Sequence, residues 1–405
     1  MSSYKADNKN SILMIYLYII SCAIAFVSKI GYTTPNPNIK YSIFIFWIII
    51  ALFKFSKNRF CITSINLTLR RLFLLFLIPR VFIHIYSIIL YLMGVTDYVT
   101  RNTQTYLVVF AVFSAIYIFG KNVIWYTIGA ALLSYSGVII YDMWVYGIDT
   151  IPKTMISLIN GEYFEIAALY EVNDYSFAIG YLIIFYFFIK EKFTKKDLIF
   201  SFCLIIFMFL GLKRIQLLAI ILLYFYILIS KFVVNKFRFY KFTSYIYIIV
   251  AYLYIWMMSN SKLFEILNKL GINTMGRNYY YQAIIELCEF RPSFLGLGRN
   301  YVSMILNSDY AYLNVGGVHS DILKYFAECG FILFGVWMWY YLIKIVKWLK
   351  ENYSFKVVSC YYILTLYSFA IYYTDNIDTY FISQFIYILI ITVVAINDKK
   401  DIVKN

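Results

Sequence analysis

The sequence predicts an all-α, polytopic integral membrane protein with about twelve transmembrane helices, and three observations predict it. Hydrophobic residues make up 62% of the 405 residues and charged residues only 14%, which is far from the composition of a soluble domain. Apolar runs of membrane-crossing length recur along the whole chain. Basic residues gather in alternate connections between these runs, as expected for a protein that crosses the membrane repeatedly.

Each apolar run is interpreted as one helix. The predicted helices span 11–30, 41–53, 67–94, 104–119, 123–146, 173–189, 198–212, 215–230, 243–259, 321–343, 357–373 and 381–396. The first is expected to be retained, because no small-residue cleavage site follows it. Residues 1–405 are therefore predicted to form a single transmembrane domain with two long outer connections, 147–172 and 260–320. Long ordered connections commonly carry function.

The distribution of charge predicts the orientation in the membrane. With the N-terminus inside, the inner connections hold about 23 of the 36 basic residues and about six of the 21 acidic ones. Both termini are then cytoplasmic, and the long connections face the outside. The net charge of +15 is accounted for by this asymmetry, so nucleic acid is not a predicted partner.

The stretch "GGVHSDILKYFAECGF" (316–331) places one of only two histidines before a predicted membrane helix. Ser320 is a candidate N-cap for that helix, and Lys324 and Glu328, four residues apart, can pair on one face. The positive end of the helix disfavours imidazolium at His319, and a general base must be neutral. The alternative interpretation is that His319 caps the helix and hydrogen-bonds a loop carbonyl.

Two arginines of the second long connection stand beside glycines. Arg277 begins "RNYYYQAIIELCEF", which predicts a short amphipathic helix that Arg291-Pro292 ends. Arg299 lies in the turn "GLGRN". Guanidinium groups flanked by glycine let side-chain and backbone donors approach a phosphate together.

Three further cations interrupt apolar sequence. Lys213 and Arg214 occupy a short predicted outer turn, where they either bind an anion or extend toward the membrane interface. Arg80 lies about 20 Å from the inner end of its helix, with His84 one turn beyond it. An arginine at that depth either has a functional role or forms an internal pair, with Asp97 or Asp142 as candidates.

The sequence predicts no metal and no cofactor. The six cysteines are scattered without metal-ligand spacing or a disulfide framework, and neither HExxH nor a nucleotide-binding glycine loop occurs. Arginine and lysine groups at the outer face suit a lipid-linked diphosphate, whose developing charge guanidinium can stabilise without a metal. His319 would then take the proton of an attacking sugar hydroxyl.

An ordered series of motifs resembles the bacterial O-antigen polymerase and O-antigen ligase superfamily. The residues that carry the resemblance are Gly276-Arg277, Tyr279 to Tyr281, Pro292, Gly296-x-Gly298, His319-Ser320 and Glu328-x-Gly330. Ser320 stands where the family more often has asparagine. Arg214 is similar to an essential arginine of an earlier helix, although the preceding Lys213 departs from the family pattern. The series covers about 55 residues.

The resemblance implies a polymerase that joins undecaprenyl-diphosphate-linked oligosaccharide repeat units into O-antigen or capsular polysaccharide. In it, at the outer face of a bacterial inner membrane, His319 is the catalytic base and Arg214, Arg277 and Arg299 bind the diphosphate. Lys213 and Arg80 are further candidates for diphosphate binding from their positions in the sequence. The implied partners are the lipid-linked donor and acceptor, membrane lipids and a chain-length regulator protein. Two alternatives remain open, namely a ligase of the same superfamily and a transporter or flippase of lipid-linked oligosaccharide. Arg80 and His84 inside the membrane favour the transporter, and the long outer connection disfavours it.

Overall fold

The computed structural model describes residues 12–27, 35–57, 64–97, 104–150, 152–153, 156, 173–189, 194–211, 213–271, 277–308 and 317–398. The regular secondary structure of these ranges is helical. The α-helices are α1 (Ile12–Phe26), α2 (Pro37–Lys57), α3 (Ser64–Leu92), α4 (Gln104–Phe119), α5 (Val123–Tyr146), α6 (Asn173–Ile189), α7 (Lys195–Leu210), α8 (Arg214–Phe232), α9 (Lys236–Ser259), α10 (Lys262–Lys269), α11 (Arg277–Ile285), α12 (Tyr301–Asn307), α13 (Asp321–Trp339), α14 (Ile345–Asn352), α15 (Phe355–Ile371) and α16 (Phe381–Ile396).

The helices agree with a polytopic membrane protein. Six stretches of the described residues are long and apolar enough to cross a bilayer, and five shorter helices of 10–17 residues are also apolar. Four helices, α4, α5, α6 and α16, begin and end at the residues predicted from the sequence. The number of crossings and the side on which each connection lies remain predictions.

Three of the boundaries that differ from the predicted ones have a local explanation. α9 begins at Lys236, seven residues early, because Asn235 caps it through a hydrogen bond from Arg238 N–H. α13 continues through a π-helical turn, Tyr340–Lys344, into α14. α11 ends at Ile285, short of Arg291-Pro292, because Leu287 and Cys288 donate to carbonyls only three residues back and so close a turn.

The two long connections are described unequally. Most of 147–172 lies outside the described residues, as do Gly276 and Gly316 of the sequence motifs. The described parts of the connection 260–320, residues 260–271, 277–308 and 317–320, contain α10, α11 and α12.

The chain divides into two compact units. The first comprises residues 1–73, 106–217 and 380–405, and the second comprises 74–105 and 218–379. In the first unit α1 packs on α2 and α5, while α6 packs on α7 and α16. Its aromatic core includes Tyr18, whose ring lies 5.3 Å from that of Trp47 and 4.7 Å from that of Phe119. The hydroxyl of Tyr18 also bonds the Thr127 hydroxyl at 3.0 Å.

In the second unit α13 packs on α9, α11 and α12. Tyrosines of α9 connect α9 to α15 and to the loop that follows α15. The rings of Tyr240 and Tyr362 stack at 4.4 Å, and the Tyr254 hydroxyl donates to the carbonyl of Tyr373 at 2.9 Å. Hydrogen bonds between helices compensate for the weak hydrophobic driving force in a lipid environment. This packing fixes α13 and the loop after α15, which together carry the candidate site.

Candidate functional site

The site is built on a break in α13. Gly330 has φ 75° and ψ 178°, so the helix is interrupted there. The segment 294–298 of the long connection fills the interruption: Leu297 and Gly298 donate to the carbonyls of Ala327 and Glu328 at 2.8 and 3.0 Å. Phe331 N–H donates in return to the carbonyl of Phe294 at 2.9 Å. The backbone groups released by the break are thus paired within the protein, as they must be at membrane depth.

Two glycines make possible this backbone crossing, in which residues 294–298 pass through the interruption of α13 at Gly330. A Cβ on Gly330 would lie 2.2 Å from the carbonyl carbon of Leu295, and one on Gly296 would lie 2.4 Å from the nitrogen of Gly330. Both residues also have a φ between 70° and 95°, where side chains other than glycine are strained. The motifs Gly-x-Gly and Glu-x-Gly of the sequence are therefore the two sides of one backbone contact.

The crossing directs Arg299 toward α3. The backbone N–H of Arg299 donates to the Ser87 hydroxyl at 2.7 Å. Its guanidinium donates from Nη1 to the carbonyl of Arg80 at 3.2 Å and from Nη2 to Thr105 Oγ1 at 2.5 Å. Arg299 is 9% exposed, so these contacts hold a buried charge in a defined orientation.

A proline prepares the same part of α3. Pro79 has no N–H, so the carbonyl of Leu75 loses its helical donor. The hydroxyl of Tyr340 supplies the missing hydrogen bond at 3.1 Å. The next residue, Arg80, donates from Nη1 to the carbonyl of Phe76 at 2.7 Å. Its buried guanidinium interacts electrostatically with Asp378, a partner that the sequence analysis did not identify.

Arg80 and Arg299 line one cavity of about 180 Å³ in the second unit. Its charged lining residues are the two arginines with Lys324, Glu328 and Asp378. Its aromatic and uncharged polar lining residues are Tyr325, Trp337, Tyr341, Gln104, Thr105, Asn300 and Thr379. The cavity therefore combines fixed charge with aromatic surface, a composition typical of a site for a polar organic ligand.

The carboxylates of the cavity differ in their hydrogen bonding. Asp378 Oδ2 accepts from the Tyr325 hydroxyl at 2.6 Å. Among the described residues, Oε1 of Glu328 is buried without a hydrogen-bond partner, and Glu328 is only 3% exposed. An unmet buried acceptor is unfavourable, so Glu328 Oε1 marks a place where a ligand donor fits.

His319 lies just before the first turn of α13. Ser320 caps the helix, its hydroxyl accepting from Leu323 N–H at 3.2 Å, as predicted. His319 has φ 49°, and its carbonyl accepts from the Tyr281 hydroxyl at 2.8 Å. Its Nδ1 lies 3.7 Å from Asp375 Oδ1, and the side chain is 29% exposed. The imidazole is thus partly exposed at the protein surface, while its Nδ1 faces the buried carboxylate of Asp375.

Arg277 lies close to His319 and Asp375, and these three residues form the His319 cluster. Its Nη1 donates to the carbonyl of Thr374 at 2.7 Å, one residue before Asp375. Burial alone would lower the pKa of Arg277, but Tyr281, Asp375 and Tyr280 more than compensate, so its pKa lies above the usual value. Burial raises the pKa of the phenols of Tyr280 and Tyr281. Arg277 therefore stays charged and both phenols stay protonated across the neutral range.

One loop, residues 372–379, connects the His319 cluster with the cavity. The N–H groups of Asp321 and Ile322 donate to the carbonyls of Asp375 and Tyr372 at 3.3 and 3.1 Å. Asp378 N–H donates to Asp321 Oδ2 at 2.9 Å. Along α13, Asp321 and Glu328 are about 10 Å apart at 1.5 Å per residue. Both groups of residues are thus held by the same helix and the same loop.

The predicted site residues are consequently distributed over several places. Arg277 stands with His319, and Arg80 stands with Arg299. Lys213 and Arg214 belong to the first unit, where Lys213 is buried just before α8. Arg214 is the first residue of α8, and its side chain lies outside the described residues.

Sequence reasoning missed the acids of the loop, Asp375 and Asp378. The only signal was compositional, since "YYTDNIDTY" (372–380) is a predicted outer turn with two aspartates and no basic residue. Nothing in the sequence indicated that Ser87 and Thr105 accept hydrogen bonds from Arg299, because serine and threonine are common in membrane helices.

Comparison with known proteins adds no relative. No family model, curated protein or solved structure matches this chain. The arrangement of residues in the second unit is therefore the basis for a functional proposal.

Proposed function

We propose that the chain is a membrane glycosyltransferase that polymerises lipid-linked oligosaccharide repeat units. It would join undecaprenyl-diphosphate-linked units into O-antigen or capsular polysaccharide at the outer face of a bacterial inner membrane. The observation that carries the proposal is the grouping of His319 and Arg277 against Asp375 and Thr374 of the loop 372–379, which also contributes Asp378 and Thr379 to a cavity lined by further cations. A base and an anion-binding group are what transfer from a diphosphate donor requires.

The reaction needs few protein groups because diphosphate is a good leaving group. A hydroxyl of the incoming repeat unit attacks the anomeric carbon of the growing chain, and His319 takes the hydroxyl proton. The bond between that carbon and the diphosphate oxygen breaks, and its electron pair stays with the diphosphate. The negative charge of Asp375, whose Oδ1 lies 3.7 Å from His319 Nδ1, stabilises the imidazolium that forms.

Arg277 is the first candidate to hold the leaving diphosphate. Its guanidinium stays charged and is fixed by the Thr374 carbonyl at 2.7 Å, so its position is set before substrate binds. Arg80, Arg299, Lys213 and Arg214, which the sequence analysis predicts as diphosphate ligands, remain candidates for the same role. Single substitutions of these residues, compared in one assay, will rank them.

The experiment uses the purified protein in detergent with chemically defined lipid-linked repeat units. His319→Gln is expected to lower polymer formation by about 10²- to 10⁴-fold, the usual contribution of a general base. His84→Gln is the matched control, because the chain has only these two histidines, and it should retain polymer formation. Long polymer from the His319→Gln protein at wild-type rate would overturn the assignment of the base.

Transport of lipid-linked oligosaccharide is a second candidate, and the break of α13 favours it. Interrupted helices with buried charge are a common construction of transporter binding sites. The detergent assay separates the two functions because it contains no second compartment. Polymer formed there requires catalysis, whereas a transporter would leave single repeat units unchanged.

A further inference from the structure

The cavity lined by Arg80, Arg299 and Lys324 has a composition that the proposed chemistry at His319 does not explain. We propose that it binds one sugar ring carrying a single carboxylate, such as a hexuronic acid residue of the lipid-linked oligosaccharide. The attribution to that oligosaccharide rests on the proposed function, whereas the binding of an acidic sugar can be tested without it.

The size of the cavity fits one ring. A cavity of about 150 Å³ accommodates benzene in a well-studied protein, and this one measures about 180 Å³. It therefore has room for one six-membered ring. Among its lining residues Thr379 is exposed, and Gln104 Nε2 donates to the Thr379 carbonyl at 2.9 Å, so we take the surface at Thr379 as the entrance. A sugar that belongs to a longer chain can enter there.

The charge of the cavity fits one negative charge. Its described lining has three cations and two carboxylates, which leaves a formal surplus of one positive charge. Lys324 and Glu328 interact with each other, and Arg80 interacts with Asp378. A carboxylate matches the surplus of one charge, whereas a diphosphate would bring more negative charge than the cations balance.

The remaining lining fits the rest of a sugar ring. Tyr325 and Trp337 stack on each other at 4.1 Å and give the cavity an aromatic wall for the apolar face of the ring. Thr105 and Asn300 supply uncharged donors and acceptors. Glu328 Oε1, buried without a partner among the described residues, accepts a hydrogen bond from a sugar hydroxyl. A few convergent polar groups on an aromatic surface are what gives such a pocket specificity.

The test compares three probes with the full-length protein in detergent. The midpoint of thermal unfolding is measured against increasing D-glucuronate, D-glucose and inorganic pyrophosphate. D-Glucuronate and D-glucose differ at one carbon, so their comparison isolates the carboxylate. We expect D-glucuronate to raise the midpoint saturably and D-glucose to bind about tenfold or more weakly, because it lacks a charge-assisted hydrogen bond. Stabilisation by pyrophosphate without stabilisation by D-glucuronate would overturn the proposal.

Variants locate the binding in the cavity. Thr105→Val removes the acceptor of Arg299 Nη2 with little change of shape, and Glu328→Gln removes a charge while keeping the volume. Thr105→Val should weaken D-glucuronate binding, whereas Glu328→Gln should strengthen it, because the formal surplus of positive charge in the described lining rises from one to two. Thr105→Val also provides a test if the charge variant fails to fold. Arg291→Gln, at an exposed arginine outside the cavity, is the control and should bind D-glucuronate as the wild type does. Equal binding by all three variants would show that the sugar binds elsewhere and would refute the proposal.

The two proposals fail in different ways. Binding of D-glucuronate by a protein that forms no polymer from lipid-linked repeat units would retain the sugar site and refute the polymerase. Polymer formation by a protein that shows no preference for D-glucuronate over D-glucose would retain the polymerase and refute the acidic-sugar site.

Discussion

Two helices of similar length, α13 and α16, show what burial is used for in this protein. Both are largely buried, yet α16 contains Ser383, Gln384 and Thr392 as its only buried polar residues, all uncharged. In α13 the charged residues Asp321, Lys324 and Glu328 are buried, and the helix is broken at Gly330. Buried uncharged residues contribute to packing, whereas buried charged residues and a broken backbone in a membrane helix are tolerated where they form a site.

The charges of α13 provide the largest expected effect on stability. Lys324→Met leaves Glu328 without the buried cation with which it interacts most strongly, and we expect a loss of about 3–5 kcal/mol. The double variant Lys324→Met/Glu328→Met should recover most of it, because the uncompensated charge is gone. Gln384→Leu in α16 is the counterpart and should change stability by about 1 kcal/mol. Unfolding in detergent–SDS mixtures measures all three, and a harmless Lys324→Met would mean that these charges are not coupled.

The connection packed against α13 is tested by the reactivity of its cysteine. Burial raises the pKa of Cys288 to about 12, and its thiol donates to the carbonyl of Ile284 at 3.2 Å. The thiol therefore stays protonated at pH 8, and its reactivity rises only as the pH approaches the pKa of Cys288. N-Ethylmaleimide should label it about 10³-fold more slowly than an ordinary cysteine.

The matched control for Cys288 is the exposed Ser293→Cys in the same connection, made in a protein without other cysteines. In intact cells an impermeant maleimide should reach this position if the connection lies outside. Rapid labelling of Cys288 itself would contradict the packing of residues 277–298 against α13.

The break of α13 is tested by adding one methyl group. Gly330→Ala introduces a Cβ 2.2 Å from the Leu295 carbonyl carbon at a φ of 75°, and we expect a loss of about 3 kcal/mol. Gly137→Ala in α5 is the control, because no atom lies within 4 Å of its Cβ position, and alanine favours the helix. The thermal unfolding midpoint should fall only for Gly330→Ala; equal midpoints would show that the crossing can relax.

The smallest expected effect concerns the support of Arg299. Ser87→Ala removes the acceptor of Arg299 N–H at 2.7 Å and should cost about 1 kcal/mol. The same substitution should weaken D-glucuronate binding only slightly, because both guanidinium hydrogen bonds of Arg299 remain. Complete loss of binding would indicate that the backbone contact, and not the guanidinium, fixes the cavity.

Helix positions were predictable where apolar runs are uniform, as in α5 and α16. They were less predictable at α9 and α14, where lysines and arginines suggested loops although Asn235 caps one helix and a π-helical turn continues into the other. The break at Gly330 could not be derived locally, because its conformation depends on hydrogen bonds with residues 294–298. Glycine spacing indicated only that something required the absence of side chains.

The candidate site was predictable to a similar degree. Arg80 and Arg299 were assigned the same role, and they share a cavity, but Asp375 and Asp378 were missed. These aspartates come from a loop more than 50 residues after His319, and no local pattern links them to it. Their position follows from the way residues 372–379 cap α13, which is a property of the folded chain.

The contact between residues 294–298 and the gap in α13 also bears on how the protein is made. The segment precedes the start of α13 by about 25 residues, so it leaves the ribosome before α13 does. When α13 enters the bilayer, its missing backbone partners have already been synthesised, and the unpaired carbonyls of Ala327 and Glu328 need not wait for a distant part of the chain. Biosynthetic order thus spares the helix a prolonged exposure of polar backbone to lipid.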